Sequence, residues 1–392
     1  MGDPVIVAAT RTAIGTARKG SLVDVDAFTL AQHSIAEALK RSGLPADEVD
    51  DIQMGESLQG GGDIARHAAV VLGITEVPGA ALNRHCASGL ASVQGAAASI
   101  KAGMDTVVIA GGTESISTSP VVSKRDIATG EWHQWLSPSH PETPDAPAMD
   151  MSITVGWNSA RAANVTREEM DEWAYHSHLR AIAAIDEGRM KDEIVAIEIP
   201  DGEGGTRIFD VDEHPRRDTT LEKLASLKPL HPEIDGFSIT AGNASGLNDA
   251  SAAMVIVDAD YAKAHGLRAM GTVLSWASVG VDPANTGLAP TKAIPKALYR
   301  AGLTVADVDL FEVNEAFASM AVGTTRILGI PHDKANVNGS GCSLGHPVAC
   351  TGSRMVVTML NELGRRGGGI GVVSMCAGGG MGSAAVLQVN PA

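Results

Sequence analysis

The sequence predicts an α/β protein built from two similar halves, and three observations carry that expectation. Short apolar runs of the kind buried on both faces of a sheet alternate with stretches of helical period at both ends of the chain. A segment near the N-terminus recurs, without a gap, near the C-terminus. The composition (392 residues, 44% hydrophobic, 19% charged, 44 glycines) belongs to a folded, Gly-rich chain and excludes a disordered one.

Taken in order, Val5-Ile6-Val7-Ala8-Ala9 is a buried strand closed by Thr10-Arg11-Thr12. Phe28 to Ser42 carries Leu30, Ile35 and Leu39 at helical spacing and is stopped by Gly43. Thr106 to Ala110 is a second buried strand, ended by Gly111-Gly112, and Ile370 to Met375 has the same character. Residues 35–56, IAEALKRSGLPADEVDDIQMGE, match 294–315, IPKALYRAGLTVADVDLFEVNE, at a constant offset of 294 − 35 = 259. Ala38-Leu39 aligns with Ala297-Leu298, Gly43-Leu44 with Gly302-Leu303, and Val49-Asp50 with Val308-Asp309. Each copy reads as helix, glycine stop, acidic turn and strand, which predicts two duplicated halves rather than one long sheet.

Between the halves the composition shifts. Trp132, Trp135, Trp157 and Trp173 lie there, and Ser137 to Pro144 reads as irregular surface chain because proline removes donors. Thr166-Arg167-Glu168-Glu169 is a capping-box start for a helix running toward Gly188. The expected division is 1–118, an N-terminal half; 119–249, an inserted loop domain that supplies surface; and 250–392, a C-terminal half. The first strands of 250–270 could instead complete the N-terminal half.

Lys+Arg 30 against Asp+Glu 46 gives a net charge of −16, which argues against non-specific nucleic-acid binding. Four cysteines with no CxxC pair are too few for a disulfide scaffold and point to a reducing, cytoplasmic setting. No secretory leader is expected from the N-terminal residues, and no apolar stretch of about 20 residues could cross a bilayer.

Four segments could carry chemistry. Cys86, in Asn83-Arg84-His85-Cys86-Ala87-Ser88-Gly89-Leu90, falls at a strand-to-helix turn, where the helix N-terminus is expected to favour a thiolate nucleophile. The same segment, taken alone, fits a small core cysteine. His85 is expected to point away from it, since neighbours on an extended chain face opposite sides. His346 closes the Gly-rich run Asn336 to Gly345 just before a helix from about Val348, a place for a general base or for an ordinary loop histidine. Cys342, His346 and Cys350 are spaced by four, but Pro347 and the glycines break any shared helical face and a fourth ligand is missing, so no metal is expected. Cys376-Ala377-Gly378-Gly379-Gly380-Met381-Gly382 follows a strand, and its glycines can offer N–H groups as an oxyanion hole. Asn314, in Val313-Asn314-Glu315-Ala316-Phe317, could hold a water or a carbonyl.

Together these runs resemble the thiolase family. The marks are the Cys86 segment, Gly345-His346-Pro347 and Cys376 to Gly382, with Asn314 to Phe317 and Thr240-Ala241-Gly242-Asn243-Ala244-Ser245-Gly246 as further matches in the family's order. The resemblance implies a thiolase fold of two duplicated βαβ-rich halves in five layers, α/β/α/β/α, with an inserted loop domain over a coenzyme A tunnel. It implies no permanently bound cofactor, coenzyme A and acyl-CoA as substrates, and a homodimer or homotetramer. By the same resemblance Cys86 carries the acyl group, His346 takes its proton, and Cys376 shuttles the proton of the α-carbon. Asn314 holds a water for the enolate oxygen, and the N–H groups of Cys86 and Gly378 hold the thioester oxygen. Arg216, Arg217 and Lys223 would meet the nucleotide of coenzyme A, Ala241, Ala244 and Ser245 the pantetheine arm, and Ala316 and Phe317 the inner tunnel. The implied reaction is thiolytic cleavage in fatty-acid degradation, with condensation of two acetyl-CoA as the reverse alternative and a non-catalytic acyl-CoA-binding relative as a lesser one. Asp150-Met151-Ser152 departs from the His-Met-Gly turn of short-chain members, and Cys350 stands where a small residue is usual.

Overall fold

Gly43 and Gly302, separated by 302 − 43 = 259 positions, both take φ 71° and both close a helix, Ala27–Ser42 and Pro290–Ala301. The left-handed conformation suits glycine because it lacks a Cβ, so the repeat read from the sequence is also a repeat of backbone geometry. Each helix leads through a short acidic 3₁₀ turn to a strand, Asp51–Gly55 or Leu310–Val313.

The structure is a computed structural model and describes residues 2–392. In chain order the N-terminal half runs β1 (Pro4–Thr12), α1 (Ala27–Ser42), β2 (Asp51–Gly55), α2 (Ile64–Val71), β3 (Gly79–Leu82), α3 (Ser88–Ala102) and β4 (Val107–Ser115). The middle segment follows, with α4 (Arg167–Asp186) as its long helix, and then β5 (Asn248–Asp258). The C-terminal half comprises β6 (Gly271–Gly280), α5 (Pro290–Ala301), β7 (Leu310–Val313), α6 (Ala318–Leu328), α7 (Thr351–Arg365), β8 (Gly369–Ala377) and β9 (Met381–Val389).

The strands form one ladder, β7-β8-β9-β6-β1-β5-β4-β2-β3, which corrects the expectation of separate sheets. The join is short: among the described residues, Val5↔Thr272 and Ile6↔Gly271 pair between the halves. Strand twist carries the two halves apart on either side of this seam. Within each half the order repeats, β1-β5-β4-β2-β3 against β6-β9-β8-β7, and an isolated bridge of Ala335 to Phe311 stands where β3 has its counterpart. β5 thus lies between β1 and β4, inside the N-terminal half. The middle segment contributes one short piece to the ladder, Ile194–Val195 beside Arg11 and Thr12.

Helices α3 and α7, both 15 residues long, form the central layer. Their side chains Val93, Ile100, Met355 and Val357 share a core with Ile6 and Val108 of one half and Val373 and Leu387 of the other. Helix α3, buried along most of its length, needs no polar face and shows no amphipathic stripe. α1 and α2 cover the outer face of the N-terminal half, α5 and α6 that of the other. The order is therefore α/β/α/β/α.

Buried ion pairs tie this frame to the middle segment and brace the C-terminal half internally. Arg11 of β1 donates twice to Asp212, at 2.7 and 2.8 Å, and from Nε to Glu193 at 2.7 Å, with both acids contributed by the middle segment. Arg354 of α7 meets Glu312 of β7 at 3.3 Å. Burial pushes the Glu312 carboxyl up to about 8, against the pull of Arg354. α4 begins with the expected capping box, Thr166 N donating to Glu169 Oε2 at 2.9 Å, and the chain leaves its far end through Gly188 at φ 73°.

Candidate active site

The site forms where the N-termini of the two central helices meet. At Gly89 of α3 an added Cβ would lie 2.5 Å from the Ala349 carbonyl oxygen, and at Gly352 of α7 it would lie 2.5 Å from Leu90 N. Only glycine permits so close a backbone approach, and it brings the residues preceding α3 and those preceding α7 together. Cys86 precedes α3; His346 precedes α7.

Cys86 sits in a tight turn between β3 and α3. His85 takes φ +47°, an uncommon conformation for a residue with a Cβ. Its N–H donates to Asn83 Oδ1 at 2.9 Å, its carbonyl accepts from Ser88 Oγ at 2.6 Å, and Ser88 Oγ in turn accepts from Arg84 N at 2.9 Å. Such a position persists only when its surroundings over-determine it, as these bonds do. Of the four cysteines, Cys86 alone is partly exposed; Cys342, Cys350 and Cys376 are buried.

The sulfur of Cys86 receives its own N–H and that of Gly378, but burial outweighs both donors and pushes the thiol up to about 11, with Glu114 adding to the rise. The resting group is a thiol. A thiol at rest differs from the thiolate expected at the helix end, so a base is required for attack.

His346 has the geometry of that base. Its backbone N–H donates to Asn248 Oδ1 at 3.0 Å, and Nδ1 lies 2.6 Å from Thr351 Oγ1. Thr351 Oγ1 itself donates to the Pro347 carbonyl at 2.8 Å, which commits its hydrogen. Nδ1 therefore carries the ring proton and donates, and Nε2 is the bare lone pair. Nε2 is buried and has no hydrogen-bond partner among the described residues. Burial, with the charge of Arg354, lowers the imidazole to about 4, so it rests neutral and able to accept a proton.

Cys376 is the penultimate residue of β8, paired with Gly382 of β9 across a hairpin whose tip is Gly378 to Gly380. Its Sγ touches Met320 Sδ at 3.6 Å, in a small cluster with Val155, Ala316 and Phe317. Burial and the neighbouring Cys86 thiol push it upward, so it too rests protonated. Asn314 follows β7, and its N–H donates to Ser374 O at 2.9 Å, two residues before Cys376. Neither side-chain polar atom of Asn314 has a partner among the described residues, although both are buried. Native proteins rarely bury such groups unsatisfied, so a carboxamide in this state marks a place for a water or ligand oxygen.

Glu315 holds the surroundings. It accepts from Trp173 Nε1 at 2.9 Å, Ser177 Oγ at 2.7 Å, Asn336 Nδ2 at 2.7 Å and Cys342 N at 3.0 Å, pinning α4 and the His346 loop to the end of β7. Nothing in the sequence distinguished Glu315 from Asn314 as the anchor. Thr351, Asn248 and the buried Glu114 were likewise not singled out; only an acid ending the apolar run Val107 to Gly112 gave a sign of the last.

A cavity of about 970 Å³ opens beside this centre. Arg216, Lys223, Ala241, Ala244 and Ser245 line it, with His178, His214 and Cys342. Its inner end adjoins the site, since Ser245 N donates to Ala316 O at 2.9 Å, Ala244 bridges Phe317, and Leu247 bridges His346. Ala316 and Phe317 thus stand between the cavity and Cys376. Arg217 does not join the wall: it turns outward to a two-pronged ion pair with Asp186, at 2.9 and 2.5 Å. Burial lowers His178 and His214 to about 4, with nearby Arg216 contributing, so both are neutral at the cavity wall. Cys350 is pushed up to about 12 by burial and packs in the core, away from the cavity.

Family models described as "Thiolase, N-terminal domain" and "Thiolase, C-terminal domain" match residues 4–260 and 267–389. An acetyl-CoA acetyltransferase of Pseudomonas aeruginosa is 42% identical over 400 residues, with 99% of each chain covered. Among solved structures, the acetyl-CoA acetyltransferase of Bacillus anthracis is similar with a TM-score of 0.90 and 39% identity, and human mitochondrial 3-ketoacyl-CoA thiolase with 0.89 and 35%. Both comparisons cover 99% of each chain.

Proposed function

The chain belongs to the thiolase family, and from that premise we propose that it cleaves 3-ketoacyl-CoA with a second coenzyme A, through an acyl group held on Cys86. The observation that carries this reading is the bare, buried Nε2 of His346, on the segment before α7 that Gly89 and Gly352 bring close to the segment before α3 bearing Cys86. Nε2 takes the Cys86 proton as the sulfur attacks the 3-keto carbon. The C2–C3 bond then breaks, its electron pair moving onto acetyl-CoA as the enolate. Cys376 supplies the proton to C2, and acetyl-CoA leaves.

The Cys376 thiolate next takes the proton of an incoming coenzyme A thiol. That sulfur attacks the thioester on Cys86, and the shortened acyl-CoA departs as Cys86 recovers its proton from His346. Two thiols are needed because the one bearing the acyl group cannot also move protons. The N–H groups of Cys86 and Gly378 stabilise the oxyanion on the acyl carbon, and a water held by Asn314 stabilises the enolate oxygen.

Coenzyme A enters as a substrate along the cavity, its anionic end against Arg216 and Lys223 and its arm against Ala244 and Ser245. Run in reverse, the same groups condense two acetyl-CoA. A role in fatty-acid degradation, a cytoplasmic location and assembly as a homodimer or homotetramer complete the proposal. In support of assembly, the outer edge of β3 has no strand partner among the described residues, and the hairpin Ser123–Arg125/Trp132–Gln134 exposes Ile127 and Trp132. No described helix is long and apolar enough to cross a membrane. Steady-state thiolysis of acetoacetyl-CoA and of a longer 3-ketoacyl-CoA tests the reading. Turnover of the longer chain is expected, and turnover of neither would overturn it.

A further inference from the structure

Beside the acyl-carrying sulfur the protein presents a polar wall that the reaction itself does not use. A Cβ placed on Gly378 would lie 3.4 Å from Ser139 Cβ, 3.6 Å from Ser139 Oγ and 3.6 Å from His85 Cγ. Gly378 is also the residue whose N–H reaches the Cys86 sulfur. Neither His85 nor Ser139 lines the large cavity.

The wall is fixed in place. His140 Nε2 lies 2.9 Å from the Ala146 carbonyl and must donate to it. With the ring hydrogen on Nε2, Nδ1 is the acceptor, and the hydroxyl of Ser139, 2.9 Å away, gives its hydrogen to His140. Ser139 Oγ is left as an acceptor. The loop is closed further by the Thr143–Ala146 turn and by Ala148 N donating to Glu142 Oε1 at 3.2 Å. His85 is held at φ +47°, its ring nitrogens have no partner among the described residues, and burial lowers its pKa. It therefore offers one N–H and one lone pair.

We propose that this wall selects 3-ketoacyl chains whose tail carries an uncharged hydroxyl group, received between His85 and Ser139. The proposal rests on the thiolase reading above. A hydroxyl can donate to Ser139 Oγ and accept from His85. A methyl-ended tail would desolvate both and pair neither, and a site built to hydrogen-bond a hydroxyl discriminates against the analogue that lacks one. A carboxylate only accepts, so it would face the Ser139 lone pairs. The nearest guanidinium in sequence, that of Arg84, turns its Nη1 to Gln94 Oε1 at 3.1 Å and Ser278 Oγ at 2.9 Å.

The test compares kcat/KM for thiolysis of 3-ketohexanoyl-CoA, 6-hydroxy-3-ketohexanoyl-CoA and 3-ketoadipyl-CoA, with acetoacetyl-CoA alongside. The hydroxylated chain is expected to exceed both others by about tenfold or more. In the double variant His85→Leu, Ser139→Ala, its advantage over the methyl-ended chain should collapse to about twofold or less. Equal or better use of the methyl-ended or carboxylated chain by the native protein overturns the inference, as does a preference that survives in the double variant. Cleavage of acetoacetyl-CoA without any hydroxyl preference sinks this inference alone, whereas failure to cleave any of the four sinks the thiolase reading on which it stands.

Discussion

Thr351 Oγ1 receives the Nδ1 proton of His346 at 2.6 Å while giving its own hydrogen to Pro347 O, and this single contact fixes which imidazole nitrogen is free. Removing it by Thr351→Val should lower kcat by about tenfold, the worth of one hydrogen bond of roughly 1–1.5 kcal/mol, with little change in KM for coenzyme A. Thr351→Ser should restore the rate. A kcat/KM split measured on the three proteins checks this, and an equal loss in the Ser variant would contradict it.

The lone pair on Nε2 also sets a pH limit. His346 lies at about 4, so it accepts protons throughout the neutral range and fails only when protonated in strong acid. The acid limb of kcat/KM should accordingly fall near pH 4 rather than near the 6.5 of an ordinary histidine. A limb at 6–7, in a protein shown still folded by circular dichroism, would contradict a buried neutral base.

Asn314 has no partner to lose. Asn314→Ala should therefore leave the melting temperature nearly unchanged and cut kcat/KM by about a hundredfold, the usual cost of one oxyanion donor, roughly 3 kcal/mol. A large drop in melting temperature would reassign the residue to packing.

The adjacent arginines make opposite predictions. Arg216 lines the cavity, while Arg217 is held by Asp186. Arg216→Ala should raise KM for coenzyme A by about three- to tenfold, as expected for one lost charge contact of roughly 1 kcal/mol. Arg217→Ala should leave it within about twofold, because removing an exposed ion pair matters little.

Glu114 gives a stability test. It is buried beneath the site, accepting from Leu58 N and Ala349 N, each at 3.1 Å, and burial raises it from 4.5 to about 7. The folded state therefore holds this proton more tightly than the unfolded one. The resulting stabilisation is full below pH 4.5 and is lost as pH rises through 7, a swing of about 3 kcal/mol at about 1.4 kcal/mol per pKa unit. Urea unfolding of Glu114→Gln should lack this slope between those limits; an unchanged slope would contradict the assignment.

Local features were legible in the sequence, and long-range ones were not. Gly43 and Gly302 could be read as helix stops because a left-handed residue needs no distant partner, and the Thr166–Glu169 capping box is complete within four positions. The seam between β1 and β6 rests on strand pairing across more than 260 positions, and nothing local announces it. Prolines in Ser137 to Pro144 suggested loose surface chain, yet His140 within it is 7% exposed and hydrogen-bonded at both nitrogens. Cys86 was recognisable from its turn, whereas the burial that raises its thiol depends on distant residues that cover the turn.

The central claim is that the acyl group is carried by Cys86 while Cys376 moves protons. It is tested most directly by incubating the Cys376→Ser protein with a 3-ketoacyl-CoA, quenching in acid and locating the added acyl mass by peptide mass spectrometry. The account predicts the acyl mass on the peptide containing Cys86 and none on those containing Cys342 or Cys350. Acylation of either of those cysteines with Cys86 unmodified would contradict it.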